Sequence, residues 1–297
     1  LDGTLREITM TSTQITEIPV QNVSTVETET GLVGYMTFNS HISTSEALLV
    51  NSIREFRDAN ISDLILDLRY NGGGFLDIAS ELGYMIAGPN ATTGKVFENL
   101  QFNDKHPDFN PVTGERLEDR PFKSTTQGFS LSGGNPLPSL NLPRVYVLTS
   151  PRTCSASESL MNGLRGIDIE VIQIGSTTCG KPYGFYPADN CGTTYFSIQF
   201  GGVNNKGFGE YSDGFSPQNI TQTEGVELPG CLVSDDFTRQ LGDQLEGMTR
   251  AALRYREDST CPLTTAKIKP PKRLGWQNLG HANARIAKTI NGKWLLR

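Results

Sequence analysis

Hydrophobic and polar positions along the chain switch repeatedly between the two-residue period of a strand and the 3.6-residue period of a helix. "LDGTLREITMT" (1–11) alternates as an edge strand would, and a Ser/Thr/Val-rich stretch follows it. "GLVGYMTFNSHI" (31–42) reads as a buried strand that leaves into a loop, and "SEALLVNSIREFRDAN" puts Leu48, Leu49, Ile53 and Phe56 on one helical face. "ISDLILDLRYNGGG" is an apolar strand running into a glycine turn, after which "FLDIASELGYMIAG" returns to helical period. Strand, helix, strand, helix predicts a parallel sheet with crossover helices. From about Asn90 to Pro143 the pattern dissolves into Asn, Gly, Pro and Lys with isolated aromatics, which predicts a long surface excursion. "RVYVLTS" restores a strand, "TCSASESLMNGLRG" a helix and "IEVIQIGSTTCGK" another strand. "TTYFSIQFGGV" has β-propensity, and "DDFTRQLGDQLEGMTRAALRYRE" predicts a final long helix before a tail with "KPPKR" and both tryptophans. The pattern is therefore α/β with a loop-rich insertion.

Composition narrows the classes. A chain of 297 residues can bury a substantial core, and it has no apolar run near the ~20 residues of a membrane span. Eight of its 26 basic residues lie between Lys267 and Arg297, a segment without Asp or Glu. The other 266 residues thus set 18 basic groups against 32 acidic ones. That acidic body argues against a nucleic-acid partner. Leu1 opens the chain without a charged start and apolar run, so any targeting segment is expected to lie outside it. Five cysteines without CxxC spacing and three scattered histidines complete no zinc pattern, and no metal or cofactor is expected.

The chemistry gathers at three strand ends, where α/β sheets hold ligands. "LILDLRY" ends in Asn71-Gly72-Gly73-Gly74, "RVYVLTS" ends just before Ser155, and "IEVIQIG" ends in Thr178-Cys179-Gly180-Lys181. Locally, Ser155 with Glu158 is a capping box and nothing more is required of it. Gly triplets usually turn a chain, and a lone lysine is usually solvated. Together, however, a serine at a helix start, a lysine on a constrained loop and amides in a glycine turn are the parts acyl transfer needs.

In this order "LILDLRYNGGGFL", "TCSASESL" and "IGSTTCGK" resemble the D-L-R-x-N-x-G-G, S-A-S-E and G-x-x-T-x-G-K signatures of the C-terminal processing (tail-specific) serine peptidases, and "GYMTFNSH" resembles the strand that opens their protease domain. The likeness covers about residues 30 to 200. It implies a crotonase/ClpP-like α/β protease core, a polypeptide substrate cut near its C-terminus and a Ser–Lys mechanism. Carried over by motif, the nucleophile falls on Ser155, with Ser157 as the fallback, and the general base on Lys181. The oxyanion donors fall on Gly73 and the Ala156 amide.

The departures leave the third member open. Phe185 stands where many members have a glutamine four residues after the lysine; Gln199, on a following strand, and His41, after the first core strand, are the substitutes. Members usually carry a PDZ module ahead of the protease core, so residues 1–20 are expected to be its remnant or a linker. Residues 21–265 are then the protease core, with 90–143 inserted, and 266–297 a basic tail. A crotonase-type acyl-CoA enzyme and a non-catalytic peptide-binding protein on the same scaffold are the alternatives. If Ser155 and Lys181 meet, Cys154 and Cys179 stand on adjoining strand ends, as a disulfide or as packed thiols. Cys231 and Cys261 are the next pair, and Cys191 is left odd. Cysteines in loops favour an oxidising location, periplasmic, cell-envelope or secreted.

Overall fold

The computed structural model describes residues 9–220 and 225–262. Six strands build the central sheet: β1 (Val20–Thr28), β2 (Gly31–Phe38), β3 (Asp63–Asp67), β4 (Arg144–Thr149), β5 (Glu170–Gly175) and β6 (Gly230–Leu232). They lie side by side in chain order, β1 antiparallel to β2 and every later pair parallel. The helices are α1 (Ser45–Asp58), α2 (Leu76–Ala87), α3 (Ala156–Gly166) and α4 (Gly247–Asp258).

Strand order explains the layers. Right-handed crossovers that always step the same way deposit their helices on one face. Leu49 and Ile53 of α1, Ile78 and Leu82 of α2 and Leu160 and Leu164 of α3 accordingly share one core with Met36, Leu64, Leu66 and Val145. The alternate strand positions, Tyr35, Ile65, Tyr146 and Ile172, face the other way and meet Met248, Ala251 and Ala252 of α4. Period-two alternation thus sorts each strand's side chains between two cores.

Four expectations change. The long last helix is only its second half. Glu246 caps α4 by accepting the Thr249 N–H at 2.9 Å. Upstream, the chain turns through Gly242 at φ 87° and sends Asp235 to Arg69 Nη1 at 2.7 Å. The segment 90–143 is no mere surface excursion, since Phe97, Phe122, Leu137 and Leu142 enter the core, the first two edge-on at 5.3 Å. Strand character in "TTYFSIQFGGV" is confined to Thr193–Tyr195 and Phe200–Val203. Of "LDGTLREITMT", residues 9–11 are outside any strand and the rest lies outside the described residues, as does the basic tail.

Two carboxylates of the helices hold the segment 90–143. Buried Glu46 in α1 accepts the N–H groups of Gln127, Gly128, Ser130 and Leu131 at 2.7–3.0 Å. Glu81 of α2 accepts the Gln127 N–H as well, at 2.9 Å. Burial and the neighbouring Glu46 push the Glu81 carboxyl up to about 9.

Candidate active site

The carboxyl ends of β3, β4 and β5 are adjacent, so their loops are laced together. The Cys154 N–H donates to Asn71 O at 3.0 Å and the Cys179 N–H to Thr153 O at 3.0 Å. Cys154 and Cys179 form a disulfide with Cα atoms 5.2 Å apart, and Cys231 pairs with Cys261, leaving Cys191 as the thiol among the described cysteines.

Ser155 sits at the N-cap of α3 with φ 57° and ψ −119°, a left-handed conformation costly for a residue with a Cβ. Two contacts hold it there. Its N–H donates to Glu158 Oε2 at 3.0 Å. Gly73, at φ 98°, passes so close that a Cβ on it would stand 2.8 Å from both Ser155 Cβ and the Ala156 nitrogen. Only glycine fits this approach. Ala156 begins the helix, so its N–H has no carbonyl partner within the helix and adds to the positive end of the dipole.

Glu158 does more than cap. It is fully buried, and its Oε1 accepts Thr178 Oγ1–H at 2.6 Å and the Gly180 N–H at 2.8 Å. Oε2 accepts the Lys181 N–H at 2.9 Å besides that of Ser155. One carboxylate therefore registers the serine's backbone against the lysine's. Burial pushes this carboxyl up, while the four donors favour its ionised form.

Lys181 and Ser155 line the same cleft, together with Gly74, Leu76, Tyr183 and Phe185. Burial lowers the Lys181 ammonium from its ordinary range, and the Glu158 charge works in the opposite direction. Phe185, the residue in place of the family glutamine, lies with its ring centroid 4.8 Å from Lys181 Nζ, a contact that favours the cation.

The remaining expected residues divide. Ser157 is fully buried and its hydroxyl donates to Asn71 O at 3.1 Å, the environment of a structural serine. Gln199 Oε1 accepts the Tyr186 N–H at 2.6 Å and is not among the cleft residues. The Gly73 N–H donates to Asn71 Oδ1 at 2.9 Å. His41 is fully buried; its Nδ1 lies 3.1 Å from the same Asn71 Oδ1, and its Nε2 has no hydrogen-bond partner. Burial lowers its pKa to about 4. Asn71 and the linking role of Glu158 were missed in the sequence. Each stands inside a quoted motif, but its partners come from strands far away in the chain.

A family model described as peptidase family S41 matches residues 30–184. A protein of Bacteroides fragilis NCTC 9343 assigned to the S41 proteases superposes with a TM-score of 0.66 at 23% identity, over 84% of this chain and 60% of the other. The photosystem II D1 C-terminal processing protease superposes with a TM-score of 0.48 at 17% identity, over 72% of this chain and 49% of the other. No curated protein matches the chain significantly.

Proposed function

Because the chain belongs to peptidase family S41, we propose that it is a serine endopeptidase that cuts polypeptides near their C-termini, with Ser155 as nucleophile and Lys181 as general base. The observation that carries this reading is the shared cleft of the two residues, whose backbones one buried carboxylate holds in register. Lys181, neutral, takes the proton as Ser155 Oγ attacks the scissile carbonyl carbon. The oxyanion develops against the Ala156 and Gly73 N–H groups, the latter released from or shared with Asn71. The protonated Lys181 then gives its proton to the leaving amine, and water hydrolyses the acyl-enzyme by the same relay. The two disulfides support an oxidising location, cell-envelope or secreted.

Intact mass after a serine-directed phosphonate, followed by peptide mapping, tests the nucleophile. One adduct on Ser155, absent in Ser155→Ala, is expected; a labelled Ser157 or no adduct overturns it. Lys181→Arg should be inactive, because a guanidinium keeps its proton.

His41, like Gln199, is not among the cleft residues, and it is the alternative base that the same variant tests. His41 offers a neutral imidazole oriented through Nδ1 and an unpartnered Nε2. If it is the base, the rate rises through about pH 4 and Lys181→Arg stays active. If Lys181 is the base, the rate rises at much higher pH and Lys181→Arg is inactive.

A further inference from the structure

The cleft continues past the nucleophile to a buried acid that the chemistry above does not use. Ser159 follows Ser155 by four residues, so both face the same side of α3 one turn, about 5.4 Å, apart. Both line the cleft, and so does Glu98 from the insertion. Glu98 is 5% exposed, with Ser159 and the Arg120 guanidinium near its carboxyl. Its carboxyl lies flat on Gly202, where a Cβ would come within 2.3 Å of Oε1. Leu76, Phe185 and Phe200 give the same cleft apolar walls, beside Lys181. Tyr211, fully buried and stacked on Phe215, borders both Glu98 and Ser159 from behind.

We propose that this is the pocket for the side chain preceding the cut bond and that Glu98 selects a basic residue there, lysine or arginine. The inference rests on the peptidase reading of Ser155. A cleft that combines apolar walls with a buried carboxyl suits a side chain with a methylene stem and a cationic tip. Burial pushes the Glu98 carboxyl up while Ser159 and Arg120 work in the other direction, and a cationic tip beside it would favour the ionised form further. A leucine-sized side chain would fill the walls but bring Glu98 no cation beyond the nearby Arg120.

Two peptidyl diphenyl phosphonates that differ only in this residue, lysine or its isostere norleucine, separate the possibilities on the unaltered full chain. The lysine probe should label Ser155 faster, by a ratio on the order of 100. Glu98→Gln should collapse that ratio towards one, with the thermal transition as a check on folding. Equal rates in the wild type, or faster labelling by norleucine, overturn the assignment of Glu98 and leave the nucleophile standing. Labelling of Ser155 by neither probe overturns the peptidase reading, and this inference with it.

Discussion

At the scale of single residues, Glu158 shapes both the stability and the pH response of the cleft. In Glu158→Gln one acceptor oxygen becomes an amide donor facing N–H groups, and each buried N–H left unpaired costs about 1–3 kcal/mol. A clear fall in Tm is the expected result, measured by thermal unfolding. The same substitution removes the charge that raises the Lys181 pKa. With Lys181 as base, the ascending limb of the kcat/KM–pH profile should therefore move to lower pH. A limb that stays in place would detach Lys181 from the limb. Ser155→Ala removes the hydroxyl needed for labelling and cleavage, and its effect on Tm should be small beside its effect on activity.

At the scale of elements, the Cys154–Cys179 disulfide joins the loop of the nucleophile to the loop of the base across 25 residues. A loop of this length is stabilised by about 3 kcal/mol. The double variant Cys154→Ser/Cys179→Ser should lose roughly that much in denaturant unfolding and lose activity beyond its loss of stability. Thiol titration of the unfolded, unreduced chain should find one free thiol, Cys191. Five would contradict both disulfides.

Much of this level was legible in the sequence. Strands β2 to β5 and helices α1 to α3 fall where periodicity puts them, since each has a continuous apolar face of ordinary length. The failures share a cause. "DDFTRQLGDQLE" has helical spacing, but Asp235 and Glu246 are drawn to the guanidinium of Arg69, more than 160 positions earlier. Phe97 and Phe122 read as stray aromatics because the helices they pack on are supplied by other parts of the chain. In the cleft, Ser155 and Lys181 were legible through their motifs. Glu98 was not, because a single acid in a segment without period carries no local sign of burial.

At the scale of the whole molecule, the two buried carboxyls Glu46 and Glu81 set a pH dependence of stability. Glu81 keeps its proton up to about pH 9 in the folded state, whereas an unfolded glutamate releases it near its ordinary value of 4.5. Between those values the unfolded chain binds fewer protons, so this contribution to stability falls as pH rises through the window and levels off above about 9. Glu46 is lowered, so its contribution is present above its ordinary value and lost as pH falls through its folded pKa. His41, lowered to about 4, works the opposite way below its ordinary value of 6.5, so Tm should decline from about pH 6.5 towards pH 9, and Glu81→Gln should flatten the decline. An unchanged slope in that variant would assign the decline to other groups.

Because the strands lie across the sheet in the order in which they occur in the chain, synthesis from the N-terminus can lay the sheet down in sequence, each new strand finding its neighbour already in place. The serine's helix is made before the lysine's loop, so its Glu158 must wait for the Gly180 and Lys181 N–H groups. The buried charges of Asp67 and Arg69 must wait still longer, until Asp235 and Glu246 are translated. A nascent chain thus lacks the partners that register the serine's loop against the lysine's, and the cleft is complete only when nearly all of the described chain has been made.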